Sequence, residues 1–262
     1  MNLEKICFEA MDVIKEVGEY IRHEKKHLQS MHVESKGIRD FVTHIDKNSE
    51  RMLAEKLQNI LPEAGFITEE KVVEQTNNKL KWIIDPLDGT MNYIHGIPIY
   101  SISVALMDEQ EIILGIVYEI NNDEMFYTWK GTIAYMNGNA IHISTCSEIK
   151  NALIVTGFPY TRTNRVAGII KTLGYFLERC RDVRRLGSAA VDLCYVAAGR
   201  IDVYYEGYLN IWDIAAGILI VKNAGGVVSD FEGTENYFAG NIIATNNVMY
   251  PEIVKGIEFN IK

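Results

Sequence analysis

Cysteine, proline and long apolar runs are all scarce in this 262-residue chain, and basic charge is outweighed. The four cysteines, Cys7, Cys146, Cys180 and Cys194, are scattered, and no two form a C-x-x-C pair. They make neither a disulfide framework nor a thiolate zinc site, and read as reduced thiols of a cytoplasmic protein. Five prolines, with no repeat, low-complexity tract or Pro/Gly linker, exclude a fibrous or disordered chain. Lysine and arginine number 26 against 35 aspartates and glutamates, a formal charge of −9. That balance argues against a nucleic-acid or membrane-surface binder. The longest apolar stretch, 214–221, is far too short to span a bilayer. Leu3-Glu4-Lys5 reads as the start of an amphipathic helix rather than a leader. With 48% hydrophobic and 23% charged residues, the chain can build one large domain or two smaller ones around a sizeable core.

What is present falls into two kinds of pattern. Leu3, Ile6, Cys7, Ala10, Met11, Ile14, Val17 and Ile21 recur at three- and four-residue steps, predicting a helix with one buried face. Asp46 reads as the cap of a second helix that carries Met52, Leu53, Leu57 and Ile60 and ends at Pro62. Strands are expected at 65–68, 99–106, 112–118 and 125–129, then a tight hairpin at Asn137-Gly138 and a strand at 141–144. The strands from 99 onward form an antiparallel sheet backed by the first two helices. Beyond about residue 145, strands at 152–156, 183–186, 201–205, 227–229 and 242–245 alternate with helices at 166–177, 188–198 and 212–223. The expectation is therefore an α+β half over 1–145 and an α/β half over 146–262, tightly apposed.

One stretch organises the rest. Trp82-Ile83-Ile84 is a buried-strand run, and Asp85-Pro86-Leu87-Asp88-Gly89-Thr90 follows it. Pro86 is expected to end the strand, since a proline cannot donate to a central ladder, and Asp88-Gly89 is turn chemistry. Thr90 or Asn92 is then placed to cap a short helix. Carboxylates attract hard divalent cations, and free N–H groups at a helix start attract phosphate, so one turn offers both halves of a metal-assisted phosphate site. An isolated turn of this kind is commonly just a solvated turn. Here it has companions: Glu69-Glu70 at the end of the 65–68 strand, Asp40 and Asp46 in the second helix region, Glu206, and Asp213 in the first turn of a helix, where a carboxylate also suits the dipole.

Asp85-Pro-Leu-Asp88-Gly-Thr90-Met-Asn-Tyr93 resembles the first signature of the inositol monophosphatase family, D-P-[IL]-D-G-T-x-N-[FY]. Trp212-Asp213-Ile-Ala-Ala, running on to Ala224-Gly225-Gly226, is similar to the second. Asp40-Phe-Val-Thr-His-Ile-Asp46 and Glu69-Glu70 match two further motifs in the right order, so the resemblance covers nearly the whole chain. It implies a layered αβαβα sandwich of the inositol monophosphatase and fructose-1,6-bisphosphatase type, a homodimer and lithium sensitivity. It implies that Glu69, Asp85, Asp88, Asp213 and the Leu87 carbonyl hold two or three Mg²⁺ ions. Asp46 and Thr90, with Glu69, would position and deprotonate the attacking water. The N–H groups of Gly89 and Thr90 would cradle phosphate, and Asp88, Ala189, Glu206 and Asp213 would meet the substrate. Two departures stand out: Thr68 precedes the glutamate pair where the family commonly has glycine, and Lys36 lies one residue closer to Asp40 than the family lysine.

The chemistry agrees with that implication. Hydrolysis of a phosphate monoester asks for transition-state stabilisation on the order of 20 kcal/mol. An oxygen-only ligand set, without His or Cys, suits Mg²⁺ rather than Zn²⁺. The expected reaction is hydrolysis of a small phosphorylated polyol, foremost inositol 1-phosphate. Fructose 1,6-bisphosphate and 3′-phosphoadenosine 5′-phosphate are alternative substrates, and Arg162, Arg165, Arg184 or Arg185 could serve a second phosphate if any reached the cleft. A reading of another class is a non-enzymatic regulatory interaction protein.

Overall fold

Two sheets and three helical layers alternate in this chain. The computed structural model describes residues 1–262 apart from 31–34, 77, 160–165 and 262, and their side chains apart also from 27–30, 35–43 and 258–261. Helices α1 (Leu3–Ser30) and α2 (Ser35–Ile60) lead into the first sheet. Its strands are β1 (Gly65–Thr68), β2 (Leu80–Asp88), β3 (Ser101–Asp108), β4 (Glu111–Glu119), β5 (Glu124–Trp129), β6 (Tyr135–Met136) and β7 (Asn139–Ala140), in that spatial order. A short helix α3 (Thr90–His95) separates β2 from β3. The second sheet contains β8 (Leu153–Thr156), β9 (Asp182–Arg184), β10 (Val203–Gly207), β11 (Val227–Ser229) and β12 (Asn241–Thr245), ordered β11-β12-β10-β8-β9. Helices α4 (Val166–Leu177), α5 (Ala189–Ala197), α6 (Ile211–Asn223) and α7 (Tyr250–Ile261) complete the chain.

The period-two alternation of the strands explains the layering. Trp82 and Ile84 of β2 face the cluster built by Ile14, Val17 and Ile21 of α1 and Leu53 and Leu57 of α2. Ile83, between them, faces the opposite cluster with Leu193 of α5 and Ile214 and Ile218 of α6. That middle layer also receives Val155, Tyr204 and Ile242 from the second sheet, so its apolar core draws on both 1–145 and 146–262. The outer face of the second sheet, with Ile154, Val203 and Ile243, packs against Phe176 of α4 and Ile253 and Ile257 of α7. The result is the expected αβαβα sandwich. No helix among the described residues is long and apolar enough to cross a membrane.

Three expectations are corrected. Asp46 does not cap α2, which begins at Ser35; it lies within the helix and is 7% exposed. Strand β2 does not stop at Pro86 but runs to Asp88, with the register against β3 broken between Asp85 and Asp88. A bulge lets the ladder skip the proline, which has no N–H to give. The hairpin at Asn137-Gly138 ends at Ala140, and 141–144 is not strand. Its apolar residue, Ile141, is buried by turning to the middle layer instead.

Candidate active site

Strands β1 and β2 run parallel, so both deliver their last residues to one edge of the sheet. Glu69 follows β1 directly, and its N–H donates to the Ile84 carbonyl at 3.2 Å. In the β2 bulge, Asp85 Oδ1 accepts the Leu87 N–H at 3.0 Å, a local bond that suits aspartate to this bend. Gly89 then turns the chain into α3 at φ 90°, a conformation that a side chain would strain. Thr90 is the first helical residue rather than the cap, and its hydroxyl donates to the Leu87 carbonyl at 3.0 Å.

The second half of the chain holds this bend in place. Asp88 Oδ2 accepts from Ser188 Oγ at 2.6 Å and from the Ala190 N–H at 2.8 Å. Ser188 is also the N-cap of α5, accepting from Val191 N–H. Asn92, expected as a possible cap, instead donates through Nδ2 to the carbonyls of Ile99 (2.7 Å) and Leu186 (2.8 Å). On α6, Asp213 Oδ2 accepts the Asn210 N–H at 2.6 Å, a first-turn capping role of the kind aspartate favours. Among the described residues Asp88 and Asp213 are each engaged through Oδ2 alone.

A cleft of about 440 Å³ collects these groups. Glu69, Asp85, Asp88, Glu206 and Asp213 line it, together with Leu87, Gly89 and Thr90. Met91, Phe158 and Tyr208 form an apolar side of its wall. Burial is the main force on every acid there, and neighbouring acids raise Glu69, Asp85, Asp88 and Glu206 further. Burial lifts Glu69 to about 7, and the charges of Asp213 and Asp88 add to it. Asp85 is held well above the carboxylate range by burial and then by Glu69, Asp88 and Asp213. The carboxyl groups of Asp85 and Glu69 interact side chain to side chain, which lowers Glu69 and raises Asp85. Asp88 rises to about 7 through burial and Asp213, against the lowering effect of Ser188 and Ala190. Asp213 rises to about 6 and Glu206 to about 7, again chiefly through burial.

Asp46 stands near enough to this group for Glu70 and Glu69 to add to the burial that pushes it to about 8. Among the described residues its buried Oδ1 has no hydrogen-bond partner. Ala189 opens α5 and is 7% exposed, but does not line the cleft. Arg185 stands close enough to Asp88 and Glu206 to lower both, whereas Arg184 pairs with Asp182 at 2.5 Å. Arg162 and Arg165 lie outside the described residues, and so do the side chains of Lys36 and Asp40.

A sequence model of the inositol monophosphatase family matches residues 2–262. This chain belongs to the inositol monophosphatase family. The Nus factor SuhB of Escherichia coli K12 is 36% identical over 255 residues, covering 97% of this chain and 94% of that protein. The inositol-1-monophosphatase of Mesorhizobium japonicum is 36% identical over 233 residues, 88% of each. The solved structure of inositol monophosphatase from Anabaena (Nostoc) superposes with a TM-score of 0.87 at 30% identity, covering 99% of this chain and 98% of that one. Members of the family use divalent metal ions and act on small phosphorylated substrates.

The donor set here fits such an ion. Acids that raise one another's proton affinity in one buried cleft are stabilised by a multivalent cation, and oxygen donors suit a hard one. Among the described residues no three His, Cys, Asp or Glu side chains are drawn into a ready-made cage. The carboxylates share a cleft without converging on a point. Several residues that shape this site carry no motif in the sequence: Glu50, Tyr204 and Ser188 as a partner of Asp88. Glu50 had a readable signal. It falls four residues after Asp46, on the stripe of α2 that continues through the buried Leu53 and Leu57.

Proposed function

We propose that this chain is a Mg²⁺-dependent phosphomonoesterase whose preferred substrate is a phosphorylated polyol, with inositol 1-phosphate foremost. The observation that carries the reading is one cleft lined by Glu69, Asp85, Asp88 and Asp213 with a fifth acid, Glu206, beside them. Its volume of about 440 Å³ suits a small ligand. Glu69, Asp85, Asp88, Asp213 and the Leu87 carbonyl would hold two or three Mg²⁺ ions. Bound there, magnesium would neutralise the phosphate dianion and make a water more acidic. The first N–H groups of α3, from Gly89 and Thr90, would cradle the phosphate. Thr90 gives its hydroxyl proton to the Leu87 carbonyl, which leaves Oγ1 lone pairs to accept from a water. Asp46, whose Oδ1 is unpartnered among the described residues, would take the proton of that water together with Glu69.

Glu206 favours an alcohol rich in hydroxyls over one bearing a second phosphate, by like-charge repulsion. Arg185 is the one described arginine that weighs the other way, and its charge is already set against Asp88, Glu206 and Asp192. A second reading, that of a non-enzymatic regulatory protein, has one observation in its favour: the Escherichia coli relative is named a Nus factor. The five-acid cleft supports the enzyme. We place the protein in the cytoplasm as a homodimer, inhibited by lithium. Phosphate release from a panel of inositol 1-phosphate, fructose 1,6-bisphosphate and 3′-phosphoadenosine 5′-phosphate tests the substrate. Highest kcat/KM on inositol 1-phosphate is expected, and faster turnover of a bisphosphate overturns the polyol assignment.

A further inference from the structure

Glu50 is a fully buried carboxylate with no place in the chemistry just described, and it is bonded three times. Its Oε1 accepts from Thr68 Oγ1 at 2.8 Å and from the Val72 N–H at 2.7 Å, and its Oε2 accepts the Glu70 N–H at 2.7 Å. A buried carboxylate is tolerated when donors of this kind surround it. All three donors belong to the turn that carries Glu69. Thr68 is itself fully buried and doubly engaged from the other side. Gln75 Oε1 accepts the Thr68 N–H at 2.9 Å, and Gln75 Nε2 donates to Thr68 Oγ1 at 3.0 Å and to the Val73 carbonyl at 2.9 Å.

The Thr68 hydroxyl is thus the joint of a chain that runs from Gln75 through Thr68 to Glu50. The backbone on both sides of Glu69 is fixed to that chain, while Glu69 N–H is fixed to β2 through the Ile84 carbonyl. Glu69 is the member of this turn that lines the cleft; Glu50, Thr68 and Gln75 do not. Glu50 and Asp46 lie one turn apart on α2, so the same helix that brings Asp46 to the site also sets the turn of Glu69.

We infer that Glu50, Thr68 and Gln75 are positioning residues that set Glu69 for cation binding, with the Thr68 hydroxyl as the coupling element. The inference rests on Glu69 being a cation ligand. Partners that orient a ligand commonly change metal affinity when removed, even though they never touch the ion. Thr68→Val keeps the shape of the side chain and removes the hydroxyl bonds to Glu50 Oε1 and Gln75 Nε2, leaving the Thr68 N–H bond to Gln75 Oε1. Thr68→Ser keeps the hydroxyl.

Calorimetric titration of the full chain with Mn²⁺ alone reads the effect without turnover. The apparent Kd for Mn²⁺ is expected to rise about tenfold or more in Thr68→Val, with Thr68→Ser restoring the wild-type value. A melting curve confirms that each variant is folded. If Thr68→Val does not fold, Gln75→Ala, at an exposed position, carries the same test, and a raised Kd is again expected. A folded variant with wild-type Mn²⁺ affinity overturns the inference. Failure of the wild-type chain to take up Mn²⁺ overturns the ligand reading of Glu69 itself, and the inference with it.

Discussion

Asp85 is 1% exposed, close to three other carboxylates, and bonded to one of them. Such a residue costs stability and is kept for what it can bind. Asp85→Asn retains an N–H to offer Glu69 and an oxygen for the Leu87 N–H, and it removes the cost of burying an acid whose ionised form Glu69, Asp88 and Asp213 repel. In excess chelator this variant should melt higher than the wild type, by about 2–4 °C for each kcal/mol of repulsion relieved. Phosphatase activity should fall by orders of magnitude at the same time. A lower Tm together with full activity would return Asp85 to the role of a turn residue. The residue scale also shows what the sequence can convey. Asp213 was legible both as a first-turn acid and as a cleft candidate, and it accepts from Asn210 N–H while lining the cleft. Asp46 reads as a cap because a short polar residue ahead of an apolar run has the same pattern whether a helix starts or is already under way. Glu50 went unread because acids on helices are usually solvated, and only the fold supplies the three donors that bury it.

At the scale of elements, the period of the apolar residues placed most strands and helices, and its failures have local causes. Proline reads as a strand end, yet β2 carries Pro86 inside a bulge and continues to Asp88. Ile141 reads as the start of a strand, yet a neighbour in the middle layer buries it without any ladder. Strand β10 shows a spacing with chemical content. Tyr204 and Glu206 share one face, and the buried Tyr204 hydroxyl donates to Glu206 Oε2 at 2.8 Å. Gly157 follows the last residue of β8 that pairs with β10, and a Cβ there would come within 2.0 Å of Glu206 Oε2. The carboxylate is therefore held between a hydroxyl and a bare backbone. Tyr204→Phe should raise KM for inositol 1-phosphate roughly tenfold, the scale of one hydrogen bond to a charged group. An aryl phosphate without hydroxyls should keep its KM. Equal changes for both substrates would make Tyr204 a packing residue only.

At the scale of the molecule, the cleft exists because two sheets are stacked about one helical layer. Glu69, Asp85 and Asp88 come from the edge of the first sheet, Glu206 from the second, and Asp213 from α6 between them. Ser188 and Ala190 of the middle layer hold Asp88, and Asn92 reaches across to Leu186. None of these cross-links could be read from spacing along the chain, because their partners lie 94 to 102 residues apart. The family motifs nevertheless marked the acids that the fold assembles: those of Glu69, Asp85–Asp88 and Asp213 sit at the ends of elements, and that of Asp46 lies within α2. The measurement closest to the central claim is phosphate release from inositol 1-phosphate by the purified chain as Mg²⁺ is removed and returned. The account predicts no turnover in excess EDTA, recovery on adding Mg²⁺, and loss of the recovered activity with lithium. Full turnover in excess EDTA would contradict it.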